Sequence, residues 1–268
     1  MKDDCFAPTG VKPSVRDEGN EAMDDGMSVK IEPCAKRVRV YLGGKVIVDS
    51  IRSKLVWEVP HYPTYYFPMA EVSVNSLLES DRTERSSIRG EARYFNVRGG
   101  YGLVANSAWH YPQSPILELR GHVRFEWDRM DAWFEEEEEV FVHPHDPHKR
   151  IDLLHSSRHI EVSLDGVKLA DTRRSTILYE TGAPVRYYIP KPDVRMDLLE
   201  PTDNRTGCAY KGFARYWSLT VGEITRENIA WSYPMPIADC AKIAGLVAFY
   251  NEQVDLIVDD VPQERPTT

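Results

Sequence analysis

Val38, Val40 and Leu42 alternate with polar residues, Gly43-Gly44 interrupts, and Val46 and Val48 resume the alternation. Period two on either side of a two-residue glycine turn predicts a β-hairpin. The same design recurs later: Ile160, Val162 and Leu164, then Asp165-Gly166, then Val167 and Leu169. Asp-Gly suits such a turn because both positions tolerate positive φ. Further short segments rich in β-branched and aromatic residues predict strands: KLVWE and TILYE, TYYF and RYYI, ARYFNV and ARYWSL, HVRFEW and LVAFY. Helical periodicity is confined to a turn or two near SVNSLLES and RMDLLEP. The pattern predicts a mainly β chain of compact antiparallel domains, each a small barrel or sandwich.

The segments come in pairs because the chain repeats itself. At an offset of 122 positions, RVRVYLGGKVIVDSIRSKLVWE falls on HIEVSLDGVKLADTRRSTILYE. Tyr65, Tyr66 and Pro68 fall on Tyr187, Tyr188 and Pro190. Gly90, Ala92, Arg93 and Tyr94 fall on Gly212, Ala214, Arg215 and Tyr216, and Ala108, Trp109, Tyr111 and Pro112 on Ala230, Trp231, Tyr233 and Pro234. A two-residue insertion then shifts the register, and GHVRFEWDRMDAWFEE matches GLVAFYNEQVDLIVDD. A unit of about a hundred residues is too long for a solenoid repeat and large enough to bury its own core. Two homologous domains are therefore expected, at 37–140 and 158–260, with a Pro- and His-rich connector at 141–157, a flexible leader at 1–36 and a short tail at 261–268.

Composition narrows the classes. The 268 residues carry 33 basic and 42 acidic side chains, a formal net charge of −9, which argues against a nucleic-acid partner needing a basic face. No run of eighteen apolar residues exists, so no membrane-spanning helix is expected. The leader has no apolar core of a secretory signal, and Cys5, Cys34, Cys208 and Cys240 form no C-x-x-C pair. Free thiols in a reducing cytoplasm are the expectation. No Walker loop, G-x-G-x-x-G or G-x-S-x-G is present.

The second half reads HPHDPHKRID, SSRHIEVSLDGVKLADTRRS, LYETGAPVRYYIPKPDV, TGCAYKGFARYW, IAWSYPMP and IAGLVAFYNEQVDLIVDD. This ordered set resembles the domain-of-unknown-function 427 family, over everything after the leader, in a tandem form. The resemblance implies a compact β-rich fold. It also brings a nucleotidyltransferase label, but the chain lacks the Gly-Ser and spaced aspartates of the usual nucleotidyltransferase metal site. Cys208-Ala-Tyr-Lys211-Gly212 resembles the family's Cys-Pro-Tyr-Lys-Gly stretch, with Ala209 in place of proline.

Four constellations are candidates for chemistry. Lys211 near Cys208 would favour a thiolate nucleophile; the alternative is a buried, inert cysteine with Lys211 paired to a carboxylate such as Glu180. Ser86 and Arg89 stand at the equivalent places in the first half, so the positive charge recurs and the thiol does not. The second constellation is repeated in both halves: Asp49/Asp171, Arg52/Arg174, Glu58/Glu180, Tyr66/Tyr188, Trp109/Trp231 and Tyr111/Tyr233. These residues either brace the fold as ion pairs or line a cleft. In that cleft Arg174 and Lys211 would bind an anion, and Tyr188, Tyr210, Trp231 and Tyr233 would wall it. Glu180, its pKa raised by burial, would act as general base. The third is His143, His145 and His148 with Asp146, either a proline-stiffened linker or imidazoles for a metal. The fourth, Glu135 to Glu139, reads as a solvated strand end or loop.

Two functions follow. One is an enzyme acting on a small polar or anionic metabolite, with Glu180, Lys211 and Cys208 as catalytic candidates. The other is a non-catalytic ligand-binding or interaction module. Cofactor, reaction and oligomeric state have no signal in the sequence.

Overall fold

A computed structural model describes residues 29–221 and 224–266. Residues 1–28, most of the expected leader, lie outside them. Contacts divide the chain into two units with the boundary between Asp146 and Pro147, inside the expected connector.

The first unit contains β1 (Lys30–Pro33), β2 (Val38–Leu42), β3 (Lys45–Ser50), β4 (Lys54–Val59), β5 (Tyr62–Pro68), β6 (Leu77–Ser86), β7 (Gly90–Gly99), β8 (Gly102–His110), β9 (His122–Phe125), β10 (Ala132–Glu135) and β11 (Glu138–Val140). The second contains β12 (Ile151–Ser156), β13 (Ile160–Leu164), β14 (Val167–Thr172), β15 (Ser175–Glu180), β16 (Arg186–Tyr188), β17 (Leu199–Cys208), β18 (Gly212–Val221), β19 (Ile224–Ser232), β20 (Val247–Phe249), β21 (Asp255–Val258) and β22 (Val261–Pro262). Each strand of one unit has its counterpart in the other. Among the described residues every strand pairs antiparallel with its neighbours, and no sheet closes into a barrel.

In the first unit a sheet ordered β1-β4-β5-β9-β8-β7-β6 lies beside a second, β11-β10-β2-β3. The second unit has β14-β13-β21-β22 for the smaller sheet, β12-β15-β16 and β17-β18-β19-β20 for the larger. The larger sheet is divided there only because the β5–β9 ladder, Phe67↔Val123 and Pro68↔His122, shrinks to the single pair Ile189↔Val247. Even the irregularities are duplicated. The ladder slips between Val40 and Tyr41 and again between Val162 and Ser163. It also slips between Glu79 and Thr83 and between Pro201 and Arg205.

The predicted hairpin turns are present. Gly43 and Gly44 have φ of 61° and 71°, Asp165 and Gly166 of 49° and 79°, so both positions of each turn are left-handed. Period two then divides the larger sheet's side chains between two faces. Leu55, Trp57, Tyr65, Phe67, Phe95 and Val97 join residues of β2, β3 and β10 in the core between the sheets. Val56, Tyr66, Ala92, Tyr94, Trp109 and Tyr111 form a separate cluster on the opposite face. In the second unit that opposite face carries Leu178, Tyr188, Ala214, Tyr216, Trp231, Tyr233 and Ala248, with Cys240 and Ile243 of the short helical turn Ala238–Ile243. A second buried face explains why β4 and β15 read as continuous apolar runs.

Several expectations need correction. Residues 30–33 are not leader but an edge strand, paired Lys30↔Trp57 to Pro33↔Lys54. Residues 151–156 are not connector but the equivalent strand, paired with β15. Val261 and Pro262 pair with β21 instead of trailing free. SVNSLLES holds no helical turn, since Asn75 is left-handed (φ 62°) and Leu77 opens β6. Glu135 is not solvated: it is buried at the end of β10, where Tyr65 and Lys36 donate to it and His145 Nδ1 lies 3.3 Å away. Burial alone would raise its pKa, but those three partners outweigh burial and hold it at about 2.

Candidate functional site

The second buried face of the second unit contains a hollow of about 210 Å³. The alternation of each strand supplies its lining: Leu178 and Glu180 from β15, Arg186 and Tyr188 from β16, Tyr216 from β18, Trp231 from β19. Tyr233 and Tyr250, just past β19 and β20, complete the walls with Ala183, Pro184 and Lys211. Tyr216, Trp231 and Ala248 form one row across three strands.

Lys211 sits in the tight β17–β18 turn. Its N–H donates to Cys208 O at 3.3 Å, and Gly212 follows with φ of 93°. The Cys-x-Tyr-Lys-Gly motif is thus first a hairpin turn whose glycine supplies the positive φ. The turn aims Lys211 inward, where its Nζ donates to Glu180 Oε2 at 2.5 Å. Lys149 Nζ lies 2.8 Å from Glu180 Oε1. Burial opposes ionisation of Glu180, but Lys211 and Lys149 outweigh it and lower the carboxyl pKa. Burial likewise opposes the Lys211 charge, yet nearby Cys208 and Glu180 leave its pKa raised. The pair stays charged at neutral pH. Around it, burial raises the hydroxyl pKa values of Tyr188, Tyr233 and Tyr250, so these remain neutral.

Five of the eight residues anticipated for a site line this hollow: Glu180, Tyr188, Lys211, Trp231 and Tyr233. Three do not. Arg174 is exposed and grips Asp193 with two bonds, of 2.8 and 2.7 Å. The acidic partner recurs in the first unit, where Arg52 grips Glu71 on the equivalent short turn. Arg52 and Arg174 were repeated because they brace that turn. Tyr210 packs near Lys149, whose Nζ is 5.3 Å from its ring centroid, and its carbonyl accepts from Cys240 Sγ. Cys208 is half-buried beside the turn and outside the lining. Glu180 does not have the burial-raised pKa expected of a general base, because two ammonium groups hold it ionised. Of the remaining repeated pair, Asp49 binds Arg37 and Asp171 binds His159 and Lys168, and Asp171 is not in the lining of the hollow.

Sequence reasoning missed Arg186 and Tyr250. Arg186 holds Glu252 with two bonds, of 2.7 and 2.6 Å, and lies 5.5 Å from the Trp231 ring centroid and 5.6 Å from that of Tyr250. Tyr250 is itself 4.5 Å from Trp231, centroid to centroid. The counterparts of these two residues are Thr64 and Glu126, so a search for repeated residues passes over them.

The equivalent place in the first unit is built differently. Tyr94, Trp109 and Arg124 form the row. Arg124 lays its guanidinium 4.4 Å from the Trp109 centroid and donates to Glu58, which also accepts from Tyr66. Arg89, the counterpart of Lys211, donates to Tyr111 Oη at 3.1 Å.

Among the described residues one group has metal-ligand chemistry, His159, Glu161 and Asp260, on the surface of the second unit. His143, His145 and His148 are not part of it. Asp146 accepts from Trp57 Nε1 at 3.1 Å.

The model of the domain of unknown function DUF427 matches the chain twice, over residues 30–136 and 152–260. The chain belongs to the DUF427 family. Each match begins at the edge strand, β1 or β12, that pairs with the strand bearing Glu58 or Glu180. A DUF427 domain thus includes the whole larger sheet with its second buried face. No curated protein matches the sequence. No helix among the described residues is long and apolar enough to cross a membrane.

Proposed function

We propose that the second DUF427 unit is a binding module for a small polar or anionic metabolite, held in the hollow between the Lys211–Glu180 pair and the aromatic walls. One observation carries this reading. Five residues picked out for a cleft from sequence converge on one concavity, whose polar groups include a buried ion pair, tyrosyl hydroxyls, the Trp231 indole N–H and Arg186. Apolar walls with a few placed polar groups are the general form of ligand sites. Catalysis is less well supported. Glu180 is a lowered-pKa carboxylate shared by two lysines, a poor proton acceptor near neutrality. Cys208 does not line the hollow. The free thiols of Cys34, Cys208 and Cys240 fit a reducing, cytoplasmic setting.

The test is a thermal-shift screen of the full chain against polar metabolites, run in parallel on Ala248→Arg. That substitution places in the second unit the residue that the first already accommodates. Compounds that stabilise the native chain and not the variant support the reading; no stabilising compound, or equal shifts in both, overturns it.

A further inference from the structure

The polar groups of the hollow leave specific donors unused. An ammonium has three N–H donors. The protein acceptor of the Lys211 side chain is Glu180 alone among the described residues. Tyr233 is more than nine-tenths buried, lines the hollow, and its hydroxyl has no protein partner among those residues. Its counterpart Tyr111 is engaged by Arg89. The Tyr233 hydroxyl is not sealed off from the hollow, so an acceptor entering there can take its donor and a spare one of Lys211.

Charge gives the sign. Lys149, Lys211 and Arg186 face Glu180 and Glu252, which leaves one excess positive charge at the hollow of a chain whose net charge is −9. Size gives the scale. At about 210 Å³ the hollow is smaller than the roughly 300–1,000 Å³ of sites for drug-sized ligands, and five aromatic side chains stand in its walls.

We infer, resting on the binding reading above, that the ligand is one flat ring bearing one carboxylate, with the carboxylate on Lys211 and the Tyr233 hydroxyl and the ring against Trp231. The first unit takes no such ligand. Arg124 crosses from β9 over Trp109 to Glu58, whereas Ala248 at the same ladder position leaves Glu180 to Lys211 and Lys149. One site per chain follows.

The test is calorimetric titration of the full chain with four probes: benzoate, benzamide, benzamidine and acetate. Benzoate is expected to bind at one site per chain and at least tenfold tighter than the other three. Tyr233→Phe, which removes only an unpartnered hydroxyl and stays folded, weakens benzoate about tenfold, the usual scale for a hydrogen bond to a charged group. Lys211→Met weakens it at least as much. Preference for benzamidine or benzamide, equal binding of acetate, two sites per chain, or unchanged binding by Tyr233→Phe overturns the assignment of ring and acid. If none of the four binds, that assignment also falls. The metabolite screen with Ala248→Arg then decides separately whether the hollow is a ligand site at all.

Discussion

Arg124 and Ala248 occupy the same place in the two ladders, each directly across from a tryptophan, Trp109 or Trp231. The long side chain closes one face of the first unit with a guanidinium stacked on Trp109 and bonded to Glu58. Ala248 makes no such crossing, and in the second unit Arg186 of β16 lies over the tryptophan instead, in the lining of the hollow. One fold thus has two interiors on the same face, one self-filled and one open.

Arg124→Ala leaves Glu58, itself nearly buried, with Arg89 at 3.7 Å as its nearest remaining cation. Breaking a buried pair on one side costs about 3–5 kcal/mol. The double variant Glu58→Gln/Arg124→Ala removes both charges and is expected to cost clearly less than Arg124→Ala and Glu58→Gln together. Chemical denaturation of the full chain measures all three; additive losses would show that the two residues do not act as a pair.

Lys211→Met and Arg174→Met separate a buried role from an exposed one. Lys211 and Glu180 are each about 9% exposed, whereas the Arg174 side chain is 63% exposed. The exposed pair is expected to contribute no more than about 1 kcal/mol. Loss of Lys211 leaves Glu180 with Lys149 alone, and a cost near the lower end of about 3–5 kcal/mol is expected. Equal losses in urea denaturation would contradict this placement of the two cations.

Acid acts on the first unit through Glu135. Its ordinary pKa of 4.5 is lowered to about 2 in the fold. A depressed carboxyl contributes stability that is complete above its unfolded pKa and lost as pH falls through the folded value. Stability should therefore decline from about pH 4.5 towards pH 2, and Glu135→Gln should be less stable at pH 7 with a flatter acid limb. A variant whose pH profile parallels the native one below pH 4.5 would remove Glu135 from the account.

The two hairpin turns differ in how much room surrounds them. Gly43 and Gly166 both have positive φ, but a Cβ on Gly43 would come within 2.5 Å of the Gly100 nitrogen, while one on Gly166 would meet nothing within 4 Å. Gly166→Ala is expected to cost about 1–2 kcal/mol, the left-handed penalty alone. Gly43→Ala should cost more, because backbone must also move. Matching melting temperatures for the two variants would contradict the packing of Gly100 on this turn.

The fold was legible where side chains alternate and where the chain repeats. The paired hairpins and the aromatic segments announce β4, β5, β7 and β9 and their counterparts. β6 and β17 were not legible, because LLESDRTERS and LEPTDNRTGC are largely exposed and held mainly through backbone pairing. The site was half legible, for a related reason. Residues common to both halves are common for structural reasons as often as functional ones, as Arg52 and Arg174 show with their acidic partners. The lining differs between the halves at Arg186 for Thr64, Tyr250 for Glu126 and Lys211 for Arg89, and Ala248 replaces Arg124 across from the tryptophan. A comparison of one face of the larger sheet, strand by strand, would have singled out these positions.

The most direct measurement is a crystal structure of the full chain grown with sodium benzoate. Density for the probe between Trp231 and Lys211, its carboxylate within hydrogen-bond distance of Lys211 Nζ and Tyr233 Oη, and none beside Arg124, is the expected result. An empty hollow at saturating probe, or benzoate seated at Arg124 instead, would contradict it.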